Sequence, residues 1–324
     1  MNFNTHTVGI LMATYNGEHY IREQIESILA QSYSNWILYI RDDGSDDNTI
    51  PIIKTYTQKY PEQIFLLEDS LSSQNVKENF NILLQSVPDF DYYMFADQDD
   101  VWESDKISVL LDRILKVNSH KIANPLLVYC DLKVVDSNLN VIHPSFMEYS
   151  NLILRNENQF EQLLLFNVAP GCSMMFNHAL REKISRIPKE CHMHDWWVIL
   201  AANILGEIIF VPKPLVLYRQ HEHNVLGASD ATSKNCWQRY KKWCNPTHLL
   251  YLINFYREYK NNLRIQSAMF LEFFDSNLSI QKKQIILIYM KMLERHFSLL
   301  TVVKAFQLHF TFPKFSTTFK FWII

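Results

Sequence analysis

An α/β fold with a mostly parallel sheet, extended by a helical C-terminal region, is what this sequence predicts, and three observations predict it. Short strand-like runs alternate with helix-period segments across residues 8–117, two of those runs end in clusters of carboxylates, and the charge balance reverses near residue 232. Val8–Ala13 is the first apolar run, and the turn Thr14-Tyr15-Asn16-Gly17 separates it from a helical pattern with Ile21, Ile25, Ile28 and Leu29 on one face. A strand at 36–41 follows, then a helix from about Asp46 with Ile50, Ile53 and Tyr56 inward, then a strand at 63–67. The spacing next predicts a helix over 76–86 (Phe80, Leu83, Leu84), a strand at 92–96 and a helix over 105–117 (Ile107, Leu110, Leu111, Ile114). Such alternation places parallel strands under helices on both faces, and ligands then bind where the strands end.

Those ends are acidic. Trp36–Ile40 runs into Arg41-Asp42-Asp43-Gly44-Ser45-Asp46-Asp47, and Tyr92–Ala96 runs into Asp97-Gln98-Asp99-Asp100. Carboxylates at the end of a buried strand need a cation or a cationic ligand, because an isolated ionised carboxylate is costly in low dielectric. Oxygen ligands of this kind suit a hard divalent metal. The plainer alternative is an acidic turn, with Ser104 or Asp105 opening the next helix.

Five stretches taken in order, Thr-Tyr-Asn-Gly at 14–17, Asp-Asp-Gly-Ser-Asp-Asp at 42–47, Asp-Gln-Asp-Asp-Val-Trp at 97–102, His-Asp-Trp-Trp at 194–197 and Tyr-Arg-Gln-His at 218–221, resemble the bacterial family 2 glycosyltransferases, and the rhamnosyltransferase-like members most. The resemblance covers residues 5–228. It implies the GT-A fold, Rossmann-like, with a nucleotide-sugar half over about 1–130 and an acceptor half over about 131–232. It further implies an inverting transfer from a nucleotide-diphosphate sugar, dTDP-rhamnose by closest similarity, to a saccharide or lipid-linked saccharide in cell-surface polysaccharide synthesis. Another hexosyl or N-acetylhexosaminyl transfer is the alternative within the family. A sugar nucleotidyltransferase and a non-catalytic binding module are the alternatives outside it. The turn at 14–17 lacks the Gly-rich basic phosphate loop of the former, and retention of Asp99 and Asp195 argues against the latter.

Carried over residue by residue, Asp42 and then Asp43 contact base and ribose, since a carboxylate accepts hydrogen bonds from both; either residue could instead cap the next helix. Thr14 and Tyr15 pack around the base, or are plain turn and core residues. Asp97 and Asp99 meet the sugar nucleotide and its Mg²⁺ or Mn²⁺, with Asp99 the foremost ligand. Asp100 caps the next helix or positions the acceptor. Asp195 is the base that deprotonates the acceptor, the plain alternative being an N-cap. His194 and Trp196 border the acceptor, although a structural histidine and a core tryptophan would look the same. Arg219 neutralises diphosphate oxygens, and His221, in preference to His223, completes the metal shell. Gly171–Asn177 matches the strand before the acceptor helix, and the loop-rich stretch 131–165 carries acceptor-recognition loops. The Gln-X-X-Arg-Trp signature of processive synthases is absent, which fits one sugar added per encounter.

The five cysteines, Cys130, Cys172, Cys191, Cys236 and Cys244, show no Cys-X-X-Cys spacing, so free thiols in a reducing compartment are expected. Val8–Ala13 lacks a basic leader, and no stretch is long and apolar enough for a membrane span. A cytoplasmic enzyme is therefore expected. Residues 1–232 carry 17 Lys+Arg against 30 Asp+Glu, whereas 233–324 carry 14 against 4. The basic segment is rich in helix-period aromatics, including Trp237, Tyr240 and Trp243, and ends in Phe310–Phe315 and Phe319–Ile324. It reads either as a peripheral contact with the anionic inner face of the cell membrane or as a helical subdomain packed on the catalytic domain or a second subunit. Nucleic acid is an unlikely partner for a chain whose catalytic half is this acidic.

Overall fold

Strand β1, Val8–Thr14, is apolar almost throughout because it pairs in parallel with a neighbour on each side. Those neighbours are β2, Trp36–Asp42, and β4, Tyr92–Asp97, while β3, Ile64–Leu67, pairs in parallel with β2. The computed structural model describes residues 6–69, 72–118, 124–152, 159–222, 246–294, 299–312, 318 and 321–322. They fall into two compact units. The first draws on Met1–Met147, Ala169–Lys189 and Met193–Ala228, the second on Glu148–Val168, Glu190–His192 and Ser229–Ile324. A single linear boundary at residue 232 does not express this division, since 148–168 and 190–192 group with the C-terminal helices.

The first unit holds a sheet in the order β3-β2-β1-β4-β8-β6-β9-β5, with β7 paired to β6. Here β5 is Val101–Trp102, β6 Leu126–Val135, β7 Val141–His143, β8 Met174–Asn177 and β9 Glu207–Arg219. The parallel arrangement expected from the sequence holds for β1–β4. Beyond β4 the sheet is mixed, because β8 runs antiparallel to both β4 and β6 while β9 runs parallel to β6.

The helices α1 (Ile21–Leu29), α2 (Thr49–Lys59), α3 (Val76–Ser86) and α4 (Lys106–Asn118) follow the expected alternation. In α4, Ile107, Leu110, Leu111 and Ile114 are all fully buried, as their spacing predicts. Two details differ from the expectation. Helix α2 begins at Thr49, since the Asp47 carboxylate accepts the Thr49 N–H at 2.9 Å and holds Asp46–Asn48 as a turn, and its inward face carries Ile52 with Ile53, leaving Ile50 half-buried. The stretch 131–165 is also less open than expected: β6 continues to Val135, and the short helices α5 and α6 occupy Phe146–Tyr149 and Gln159–Leu165.

Asn75 caps α3 by accepting from the Lys77 N–H, and Asn177 caps α7 (His178–Ile184) by accepting from the Leu180 N–H. Helix α8, His194–Leu205, follows in the same unit. The second unit is helical, with long helices at Pro246–Phe273 and Ile280–Leu293 and a shorter one at Leu299–Gln307. Its described aromatics form a core. Tyr289 stacks on Phe310 at 4.7 Å and donates to the Leu164 carbonyl at 2.9 Å, and the Trp322 indole donates to the Phe310 carbonyl. Phe310, Phe321 and Trp322 are fully buried, so this part of the tail packs within its own unit and is not an exposed aromatic face. Trp237, Tyr240, Trp243, Lys314, Phe315, Phe319 and Lys320 lie outside the described residues. Among the described residues, no helix is long and apolar enough to cross a membrane.

The β6–β9 pairing depends on a close backbone approach at Gly206, where an added Cβ would lie 1.8 Å from the Pro125 carbonyl oxygen. Because that obstacle is backbone, relief requires the strands to part. Gly206→Ala is expected to destabilise the protein by about 1–3 kcal/mol, the range of overpacking substitutions, read as a lower urea midpoint with an unchanged slope. An unchanged midpoint would show that the strands do not approach this closely.

Candidate active site

The carboxyl ends of β1, β2 and β4 lie side by side, since Thr14 is in register with Asp42 and Ala13 with Asp97. Parallel pairing therefore gathers three segments that are far apart in sequence into one place. The Thr14 hydroxyl, nearly fully buried, donates to the Asp42 carboxylate at 2.8 Å. Asp42 also accepts from the Ser45 N–H at 2.7 Å and the Ser45 hydroxyl at 2.6 Å, which fixes the tight turn through Gly44, whose φ is +91°. Asp42 stays half-buried at the rim, with the Tyr15 ring 51% exposed at the neighbouring strand end.

Asp43 points the other way. It is 3% exposed, pairs with the buried Arg41 guanidinium at 3.3 Å, and accepts from the Ser73 N–H at 2.7 Å and the Asn75 N–H at 3.1 Å. Arg41 also binds Asp69 through two nitrogens, at 2.7 and 2.9 Å. Asp43 therefore ties the segment after β3 to the end of β2, with its carboxylate turned inward. Sequence reading gave no sign of Arg41, whose partner Asp69 lies 28 residues away.

The acidic tetrad divides in the same manner. Asp97 and Asp99 are half-buried, whereas Asp100 is 1% exposed. Withdrawal from water, followed by the charges of Asp99 and Asp195, raises the Asp97 carboxyl to about 7. The charge of Asp195, on α8, thus acts on Asp97, at the end of β4. Asp100 accepts the Arg219 N–H at 3.1 Å and is pushed well above the usual carboxylate range by burial and by its neighbours Asp99 and Asp97. It does not cap α4. Through this hydrogen bond it holds the end of β9.

Lys106, the first residue of α4, reads in sequence as a surface lysine and is fully buried. Its ammonium donates to the Cys172 carbonyl at 2.5 Å and sits 3.2 Å from the centre of the Trp102 ring, and burial lowers its pKa to about 8. Cys172, buried next to Asp97 and Asp100, has its thiol pushed well upward, first by burial and then by those carboxylates. Cys130 and Cys191 are likewise buried, while Cys236 and Cys244 lie outside the described residues.

Arg219 and His221 close the site from the end of β9. Arg219 is 1% exposed: Nε donates to the Asp99 carbonyl at 2.7 Å, Nη1 to the Ser137 carbonyl at 2.6 Å, and Nη2 pairs with Glu23. Its guanidinium lies over the Tyr20 ring at 4.5 Å, and His221 stacks on that same tyrosine at 4.8 Å. The expected phosphate-neutralising arginine is thus engaged in holding the tetrad's backbone. His221 Nε2 lies 2.8 Å from Asp99 Oδ2. His223 lies outside the described residues.

These placements give two sets of donors for a cation. Asp99 and His221 form a pair at 2.8 Å beside Asp97, and ligand atoms of Asp97, Asp100 and Cys172 lie within 4.8 Å of one another. The first set, of carboxylate oxygen and imidazole nitrogen, suits Mg²⁺ or Mn²⁺ and faces the rim.

Asp195 lies in the first turn of α8, with Met193 at the N-cap position. One oxygen accepts the Gly171 N–H at 3.0 Å, and the other accepts the Trp196 N–H at 2.6 Å. Gly171 is needed because a Cβ there would meet His194 Nε2 at 2.8 Å. It begins a short 3₁₀ turn, Gly171–Ser173, that leads into β8. Trp196 and Trp197 are both buried. His194 is buried between Phe80, stacked at 4.0 Å, and Phe95, edge-on at 5.1 Å, with neither ring nitrogen hydrogen-bonded.

The family model of glycosyl transferase family 2 matches residues 9–183, more than half of the chain and all of the strand ends just described except β9. The chain belongs to glycosyl transferase family 2. This family 2 glycosyltransferase is 31% identical over 229 residues to a dTDP-rhamnosyl transferase, RfbG of Shigella flexneri, a match covering 67% of this chain and 74% of the relative. Among solved structures, S. aureus TarS in complex with UDP-GlcNAc superposes with a TM-score of 0.58 at 16% identity, covering 89% of this chain and 72% of that one. The mannosyltransferase PcManGT of Pyrobaculum calidifontis, in complex with GDP-Man and Mn²⁺, superposes with a TM-score of 0.51 at 14% identity, covering 95% and 86%. At such identities the two structures establish the GT-A fold alone.

The His194 ring gives the transferase a measurable acid sensitivity. Burial depresses its pKa to about 3, against about 6.5 for an imidazole in an unfolded chain. The fold therefore favours the neutral ring, and this contribution to stability is fully present above about pH 6.5 and is lost as pH falls toward 3. Relative to His194→Phe, which keeps an aromatic ring between Phe80 and Phe95, the unsubstituted protein should lose up to about 1.4 kcal/mol per pH unit between about pH 6.5 and 4. Urea midpoints across that range measure the difference, and parallel curves would contradict a buried neutral imidazole.

Proposed function

We propose that this glycosyltransferase inverts configuration as it moves a sugar, rhamnose from dTDP-rhamnose, to a saccharide or lipid-linked saccharide acceptor during cell-surface polysaccharide synthesis. The similarity to a dTDP-rhamnosyl transferase supports the choice of donor. The observation that carries the mechanism is the nearness of two carboxylates: Asp195 of α8 accepts the Gly171 N–H at 3.0 Å, and the thiol of the next residue, Cys172, lies within 4.8 Å of a carboxylate oxygen of Asp97 at the acidic end of β4. The first would serve the acceptor and the second the donor, so the two substrates would meet between them.

In this reading the nucleotide-sugar half is about 1–130 and the acceptor half about 131–232. Asp42 receives the base and ribose at the rim, Thr14 orients Asp42, and Tyr15 offers its exposed ring to the base. Asp97, Asp99 and His221 face the diphosphate. Mg²⁺ or Mn²⁺, when bound there, supplies positive charge that stabilises the leaving diphosphate. Asp43, Asp100, Arg219, His194 and Trp196, each buried, act as framework.

Asp195 is the base. Two backbone N–H groups aim its carboxylate, which accepts a proton from the acceptor hydroxyl. As that proton moves to Asp195, the acceptor oxygen bonds to the anomeric carbon. The bond from that carbon to the phosphate oxygen breaks, and the diphosphate leaves with the electron pair. Attack from the face opposite the leaving group inverts the anomeric centre. In the C-terminal unit, exposed Ile280, Leu287, Leu300 and Val303 and the excess of basic residues support peripheral attachment to an anionic membrane that carries the acceptor.

Asp195→Asn keeps the shape and removes the base. It is expected to leave donor affinity nearly unchanged and to slow transfer by about 10²–10⁴-fold. The same assay, run over dTDP-rhamnose, UDP-glucose, UDP-N-acetylglucosamine and GDP-mannose, should show selective turnover of dTDP-rhamnose. Near-normal transfer by the variant would remove Asp195 from the mechanism, and selective turnover of another sugar would replace the donor.

A further inference from the structure

Gln98 sits between two carboxylates of the tetrad, yet its side chain turns away from them. Its amide reaches across to β1, where Nε2 donates to the Tyr15 carbonyl at 2.8 Å and Oε1 accepts the Tyr15 N–H at 2.9 Å. Both polar groups of the Tyr15 backbone are thus held by one side chain. The orientation of the amide follows from its partners, because the flipped form would set donor against donor and acceptor against acceptor. Gly17 leaves room for this amide: a Cβ at that position would lie 2.3 Å from Oε1.

The residues after Tyr15 are braced from the other side. Asn16 adopts the left-handed region at φ 47°, its N–H donates to the Ser45 hydroxyl at 2.8 Å, and its side-chain oxygen accepts the Asp46 N–H at 3.0 Å. The Gly17 N–H donates to Thr49 Oγ1 at 2.7 Å. A turn fixed at three successive residues carries one large side chain that is not itself packed, the Tyr15 ring, 51% exposed beside Asp42. An aromatic ring on a rigid backbone at a ligand-binding strand end makes a platform for another planar ring, with its position set before binding.

We propose that Gln98 is a positioning residue for the donor nucleobase, acting through its two hydrogen bonds to the Tyr15 backbone. The proposal rests on the donor-site reading given above. It explains why an uncharged amide stands between Asp97 and Asp99: a glutamate would set a carboxylate oxygen against the Tyr15 carbonyl, and an alanine would leave the turn unheld on that side.

A double-mutant cycle on nucleotide binding separates this role from a merely structural one. Titrations with dTDP and with UDP, each run in Mg²⁺ and in EDTA, compare the unsubstituted protein with Gln98→Ala, Gln98→Glu, Tyr15→Ala and Gln98→Ala/Tyr15→Ala, beside their thermal melts. Gln98→Ala is expected to weaken the tighter nucleotide about tenfold, as loss of a well-placed base stack does. The loss should persist in EDTA, Gln98→Glu should share it, and it should disappear in the Tyr15→Ala background. Equal losses from Gln98→Ala with and without Tyr15 would overturn the proposal, as would a loss seen only with Mg²⁺, which would assign Gln98 to the carboxylates beside it. A Tyr15→Ala protein that binds as tightly as the unsubstituted one would also overturn it. The donor-site reading fails separately, if the unsubstituted protein binds neither nucleotide.

Discussion

Negative charge withdrawn from water at the carboxyl end of β4 is the constraint on which the rest of the first unit depends. Asp97, Asp99 and Asp100 follow one another within four residues, and Asp195 approaches them from α8. Each would be costly to bury alone. The fold answers with a buried ammonium at Lys106, a backbone N–H from Arg219 on Asp100 and an imidazole on Asp99. Burial, and then the charges of neighbouring carboxylates, still push the Asp97 and Asp100 carboxyls upward. A divalent cation and a diphosphate, bound together, suit this environment better than either would alone.

The remainder of the site reads as support for that strand end. Arg219 grips the tetrad's backbone and is itself held by Glu23 and the face of Tyr20, which also stacks on His221. Helix α1, through Glu23, and the end of β9 therefore support the acidic site. The two backbone hydrogen bonds to Asp195 have the same character. They fix a side chain through main-chain groups, which few substitutions can remove.

Periodicity made β1–β4 and α1–α4 legible because each buries a regular face, and the two acidic strand ends stood out because carboxylates there are expensive. The inward turn of Asp43 was not legible, since Arg41 and Ser73 reach it only after β2 and the segment beyond β3 are assembled. Lys106 was hidden for a related reason: a lysine after Asp105 looks like an ordinary helix start until Trp102 and Cys172 close over it. The partners of Arg219 were not legible because they are two carbonyls and a glutamate at distant positions. β9 carries Pro212 and Pro214, which disfavour a strand assignment, and its pairing with β6 shifts register between Cys130 and Asp131. The aromatic tail suggested a membrane face from composition alone, whereas Phe310, Phe321 and Trp322 are core residues of the second unit.

The central claim is that the half-buried carboxylates of the tetrad, with His221, hold a divalent cation that binds together with a nucleotide diphosphate. Mn²⁺ binding followed by electron paramagnetic resonance, with and without dTDP, tests it most directly when the unsubstituted protein is compared with Asp99→Ala. The account predicts one tightly bound Mn²⁺ whose affinity rises when dTDP is added, and loss of that coupling in Asp99→Ala. Mn²⁺ binding that is indifferent to both dTDP and Asp99 would contradict it.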